Sequence, residues 1–182
     1  MVYFDRIRKT LCMMFLVFFI QNSSAQNEVS KLSIEPQIGF NVSNLTKAGL
    51  NSKIGFCGGV NLEYKITKPL SMSIGTIYSV EGAKDGQAKL SPTYINIPLR
   101  ANLYVTDNLS LNAGVQLGVN VADNREDFLL FGDAKSTTFS MPIGISYNIN
   151  KFVVNVSYNI GLTNVYDNYD YKNSYLQLTL GY

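Results

Sequence analysis

Residues 109–120 read "LSLNAGVQLGVN". Leu109, Leu111, Ala113, Val115, Leu117 and Val119 share one side, and Ser110, Asn112, Gly114, Gln116, Gly118 and Asn120 share the other. A period of two is the mark of a β-strand, because successive side chains point to opposite faces. The polar face is small and carries no charge, whereas a water-exposed surface carries charge on about 25–35% of its positions. Residues 152–163 repeat the pattern, with Phe152, Val154, Val156, Tyr158, Ile160 and Leu162 set against Val153, Asn155, Ser157, Asn159, Gly161 and Thr163. Side chains of this kind suit the narrow interior of a small barrel, where amides and hydroxyls can bond to one another.

The same alternation recurs along the chain, and no stretch after the N-terminal segment keeps a helical period. It predicts eight strands, at 32–43, 54–66, 70–81, 93–105, 109–121, 138–149, 151–163 and 173–182. Strands one, three, five and seven begin at near-regular spacing, as in a hairpin repeated four times. The connections alternate in length. "TKPL", "TDN" and "NIN" are tight, while "NLTKAGLNSK", "GAKDGQAKLSP", "ADNREDFLLFGDAKST" and "NVYDNYDYK" are long. Short turns at one end and long loops at the other describe an eight-stranded antiparallel up-and-down transmembrane β-barrel.

Alternation alone does not say which face is inside. A soluble lipocalin-like barrel buries its apolar face and a membrane barrel exposes it. The charges decide. Glu35, Glu63, Lys65, Glu81 and Arg100 all fall on the polar face, and the apolar face carries none. An Arg or Lys facing lipid at mid-bilayer costs about 2–4 kcal/mol, so the uncharged face is assigned to lipid. Tyr147, Phe152 and Tyr182 then point outward near the short-turn end, and Phe40, Phe56, Tyr78 and Phe139 near the long-loop end. Two such tiers are where interfacial aromatics gather. Tyr104 departs from this, since parity turns it inward. Pro36, Pro98 and Pro142 fall inside predicted strands, where bulges or missing ladder bonds are expected.

The N-terminus is read as separate from the barrel. Arg6, Arg8 and Lys9 precede an apolar run from Leu11 to Ile20, and Ser23 and Ala25 suit cleavage before Gln26. This is the pattern of a cleavable signal peptide over residues 1–25, followed by a short periplasmic segment at 26–31 and the barrel at 32–182. The run of ten apolar residues is too short to span a bilayer as a helix, which takes about 20. Without the leader, the 15 Lys and Arg and 13 Asp and Glu become 12 of each, because the leader holds Arg6, Arg8, Lys9 and Asp5. A near-neutral chain with no basic stripe is not expected to bind nucleic acid. Cys57 becomes the single cysteine, expected to be a small semi-buried residue with no disulfide.

The final strand, "NSYLQLTLGY", places Leu176, Leu178, Leu180 and Tyr182 on one face. Alternating apolar residues ending on an aromatic resemble the insertion signal read by the outer-membrane assembly machinery. "IGFNVSNL", "GFCGGVNLEYKIT", "YINIPLRANLY", "LSLNAGVQLG" and "FSMPIGISYNIN" resemble successive strands of the PorT-like outer-membrane β-barrel family. That resemblance covers essentially the whole chain after the leader and implies a bacterial outer-membrane location. Some members of that family are implicated in protein secretion, and many have no assigned role.

No His occurs, which removes the commonest general base, and no convergent carboxylate pair stands in for it. The chain is therefore expected to be no enzyme and to need no cofactor or metal. "DNYDYKN", with Asp167 and Asp170, lacks the Gly and terminal Glu of a defined calcium loop and reads as a solvated turn. Arg100, Glu63 and Glu35 face inward in the short-turn half, and Arg100 is expected to pair with Glu63 or Glu35 and plug the lumen. The alternative role for this cluster is a gate in a conducting pore. Phe128, Leu129, Leu130 and Phe131 form an apolar cluster in the loop after the fifth strand, suited to partner contact, to the barrel rim or to lipid headgroups. The functional expectation is a structural or interaction barrel working through its long loops, with outer-membrane lipid and envelope or secretion proteins as partners. The alternatives are a small transport barrel for a small or apolar solute, and a soluble periplasmic binding barrel.

Overall fold

The computed structural model describes residues 32–46, 51–85, 88–126, 135–166 and 169–182. The signal peptide, residues 26–31 and the Phe128–Phe131 cluster lie outside the described residues. Strands run β1 Leu32–Thr46, β2 Asn51–Lys65, β3 Leu70–Val80, β4 Ala83–Asp85, β5 Ala88–Tyr104, β6 Leu109–Glu126, β7 Thr137–Ile149, β8 Phe152–Gly161, β9 Asn164–Tyr166 and β10 Tyr169–Gly181. The eight long strands pair in the order β1-β10-β8-β7-β6-β5-β3-β2, and β1–β2 pairing closes the ring. Every pairing is antiparallel.

The stagger of this ring follows from its register. Ser33 faces Glu63, then Ser73, then Arg100, then Gly114. Gly114 lies opposite Pro142 in the register of its flanking pairs, Pro142 faces Asn159, Asn159 faces Tyr175, and Tyr175 faces Ser43. One circuit thus returns to β1 ten residues beyond its start, between Ser33 and Ser43. Ten residues of rise over eight inter-strand gaps give a strand tilt of about 40°, within the usual range for closed barrels. Each step round the ring therefore climbs one and a quarter residues, which sets which side chains are level inside.

The apolar face is outside. Leu111, Val115 and Leu178 are 45%, 57% and 50% exposed, while the intervening Asn112, Gln116, Gln177 and Thr179 are buried. This removes the soluble lipocalin-like alternative, whose interior would hold the Leu and Val side chains. Phe40 packs edge-on to Phe56 at 6.2 Å toward the long-loop end, and Phe152 lies 5.4 Å from Tyr182 at the other. Tyr104 points inward and donates to Glu63 at 2.6 Å, so it belongs to the lumen and not to an aromatic belt.

The prolines break ladder bonds without shifting register. Pairing between β3 and β5 skips from Ile74–Leu99 to Ile77–Asn96, and Pro98 lies in the gap. Pairing between β6 and β7 skips from Ala113–Ile143 to Gln116–Ser140, and Pro142 lies there. Pro36 accepts from the Tyr182 amide at 3.0 Å. Its missing N–H thus faces the end of β10 and costs a single terminal bond. A bulge sits elsewhere, between β5 and β6, where Thr93–Ala122 is followed by Tyr94–Asn120 and Val121 is left over.

At the short-turn end the connections are tight. Thr106 Oγ1 accepts from Leu109 N at 3.0 Å, and Asn150 takes φ 55° between β7 and β8, a left-handed conformation that Asn tolerates. At the other end much of the expected loop is strand. β1 and β2 run on to Thr46 and back from Asn51, β4 pairs with both β2 and β5, and β9 pairs with β10.

Candidate functional site

The interior is filled from both sides by polar side chains, in two tiers. The lower tier lies toward the short turns. Glu63 Oε1 accepts from Tyr104 at 2.6 Å and from Ser71 at 2.7 Å, and Asn102 donates to Ser71 and Ser73 at 3.1 and 3.2 Å. Lys65 Nζ sits 5.7 Å from the centre of the Tyr104 ring, a cation–π contact across the rim.

Arg100 is 7% exposed, and its Nη2 donates to Asn61 Oδ1 at 3.3 Å. The direct ion pair expected with Glu63 or Glu35 is not made. The stagger explains why. Arg100 is level with Asn61 and Gln37, whereas Glu63 lies about 6 Å lower along the barrel axis. Glu63 is already engaged by two hydroxyls. Glu35 and Glu63 still act on the guanidinium through space. Glu35 lies over Gly181, where an added Cβ would strike its carboxylate, so its side chain crosses the seam between first and last strands.

The upper tier is centred on Glu81, just past β3 and only 3% exposed. Its carboxylate accepts from Asn96 Nδ2 at 2.7 Å and from Asn173 Nδ2. The Tyr175 hydroxyl accepts from Asn96 at 3.1 Å and from Gln116 at 2.8 Å, and Gln116 reaches Ser140 at 3.1 Å. These bonds join β3, β5, β6, β7 and β10 across the lumen. Other glycines show the same filling. A Cβ on Gly118 would meet Thr138 and Asn96, and one on Gly144 would meet Asn112. Sequence reasoning placed Glu81 on the inner face but did not single out its cluster. The legible signal was parity, which turns Glu81, Tyr175 and Asn173 inward at the long-loop end.

Leu176, Leu178, Leu180 and Tyr182 all point outward from β10 and are 46–52% exposed. No catalytic constellation is visible among the described residues; Asp167 lies outside them, and Asp170, read as part of a turn, falls within the backbone of β10.

The sequence profile of the outer membrane protein beta-barrel domain family matches residues 21–167. No match is found among curated proteins. Solved structures of similar fold include Ail, the attachment invasion locus protein of Yersinia pestis, at 16% identity and a TM-score of 0.52, covering 82% of this chain and 97% of Ail. Ail was also solved with the heparin analogue sucrose octasulfate; that structure matches at 18% identity with a TM-score of 0.52, over 82% of this chain and 97% of the other. Neisserial surface protein A matches at 14% identity and a TM-score of 0.53, over 82% of this chain and 96% of the other.

Proposed function

The chain belongs to the outer membrane protein beta-barrel domain family, and from that premise we propose that it is a non-enzymatic interaction barrel, closed to solutes, that works through its external strands and loops. It resides in the bacterial outer membrane. The observation that carries the reading is the filled lumen: Glu63 and Glu81 each anchor hydrogen bonds to two or more other strands, and the space over Gly118 and Gly144 is taken by side chains of the neighbouring strands. A barrel of eight strands leaves room for side chains and little else. Recognition then falls to the surface that varies freely, the external connections.

Residues 1–25 act as a cleaved leader, and Leu176, Leu178, Leu180 and Tyr182 present the assembly signal to the outer-membrane machinery. The strand sequences resemble those of the PorT-like group, and that resemblance supports a role beside secretion or envelope proteins. Arg100, Glu63 and Glu35 serve as structural charges of the plug and not as a gate.

Planar-bilayer recording tests this. The folded wild-type protein is expected to give no steady conductance steps. Arg100→Met is expected to lower stability by about 1–3 kcal/mol, because it removes a charged donor from a buried network. A steady selective current through the wild type would favour the transport reading. A large current in Arg100→Met with stability unchanged would make the cluster a gate.

A further inference from the structure

Cys57 is fully enclosed and faces the lumen from β2, opposite Ser79 on β3. Two residues beyond Ser79 is Glu81, with the donors described above. Toward the external end Leu45, Ala83, Tyr94 and Val165, from β1, β4, β5 and β9, are all at most 2% exposed, and the polar Ser43, Thr93 and Asn173 are buried too. Between Glu81 and Ala83 stands Gly82, whose φ of 119° is one that L side chains rarely adopt. Gly82 O accepts from Ser43 Oγ at 2.8 Å, and Lys53 Nζ donates to Glu81 O at 3.2 Å and to Ser91 Oγ at 2.7 Å. The external extensions of β1, β2, β5 and β10 therefore all converge on the short stretch from Glu81 to Ala83.

We propose that Glu81 is the latch of a closed external mouth, holding together, above the enclosed Cys57, the strand ends that meet at Glu81–Ala83. A carboxylate enclosed in such surroundings is tolerated only when fully bonded. Its amide donors come from β5 and β10, so the end of β3 and these two strands are held together by one acceptor. A partner that grips and displaces the external strands pulls on the bonds that keep the lumen closed. The latch thus couples the outer surface to the interior. The inference rests on the orientation of the barrel in the membrane and not on its failure to conduct.

Thiol labelling tests it, on protein first shown to be folded by the mobility shift between boiled and unboiled samples. Cys12→Ser serves as background, leaving Cys57 as the single thiol. In folded wild type, a membrane-impermeant maleimide is expected to modify Cys57 at least about 100-fold more slowly than in heat-unfolded protein, since access requires local opening. Glu81→Ala, still folded by mobility, is expected to label about 10-fold faster than wild type or more, as it loses several buried bonds. Should Glu81→Ala fail to reach the folded form, Tyr175→Phe carries the test, with a several-fold rise expected from loss of the hydroxyl alone. Wild-type labelling at the unfolded rate would overturn the seal. A folded Glu81→Ala, or in its place Tyr175→Phe, labelling no faster than wild type would overturn the latch.

Discussion

Gly39→Val abolishes the folded barrel. Gly39 faces inward on β1 opposite Thr179 on β10, at the seam where the first and last strands meet. A Cβ there would run into the Leu178 carbonyl oxygen and come within 2.8 Å of Thr179 Cα. Both are backbone atoms of the paired strand, so no side-chain rotation relieves the clash, and a β-branched residue adds to it. The expected loss is about 3 kcal/mol or more, at the upper end for overpacking, because the strands must separate where the ring closes. The measurement is the fraction of unboiled protein that migrates in the compact form, together with urea unfolding from lipid vesicles. Gly58→Ala is the control. Its added Cβ would meet nothing closer than Gln37 O at 3.5 Å, and it is expected to fold like wild type. Equal behaviour of the two variants would contradict the seam geometry.

Val115→Arg has the second large effect. Val115 is 57% exposed on the outer face of β6, midway along its apolar run. A guanidinium there must sit in hydrocarbon or drag water and headgroups toward it, at a cost of about 2–4 kcal/mol near the bilayer midplane. Thr67→Arg, in the exposed short turn between β2 and β3, is expected to change stability by less than about 0.5 kcal/mol. Urea titration in vesicles compares them. Similar midpoints for the two variants would remove Val115 from the lipid face.

The strands were legible because lipid and a narrow lumen impose opposite demands on alternate residues. Where both demands act, as along residues 109–121, 138–149 and 173–182, expectation and structure differ by few residues except where strands continue outside. Beyond the membrane the outer face is no longer required to be apolar. "GAKDGQAKLSP" and "NVYDNYDYK" then read as loops from their Gly, Asp and Asn content, yet Ala83 pairs with Leu90 and Tyr166 with Tyr169. Their backbone bonds come from neighbours already aligned by the barrel, a constraint that local composition does not carry.

The site was legible by face and not by partner. Parity turned Arg100, Glu63, Glu35 and Tyr104 inward without ambiguity. Which of them touch depends on the ten-residue stagger, which emerges only when the ring closes. That stagger sets Arg100 beside Asn61 and brings Asn173 to Glu81 across 92 residues of sequence. The prolines show the same limit. Their positions implied disturbed ladders, but the kept register follows from the intact pairing on their other side.

Bulky apolar side chains meet lipid tails, and small polar ones fill the barrel. The chain contains no Trp, so a single introduced indole reports its own surroundings. Val115→Trp, Leu178→Trp and Tyr175→Trp can each be folded into vesicles whose acyl chains carry bromine, a contact quencher of indole emission. Strong quenching at positions 115 and 178, with position 175 shielded, is the predicted result. Quenching at 175 with 115 and 178 shielded would turn the barrel inside out and contradict the account.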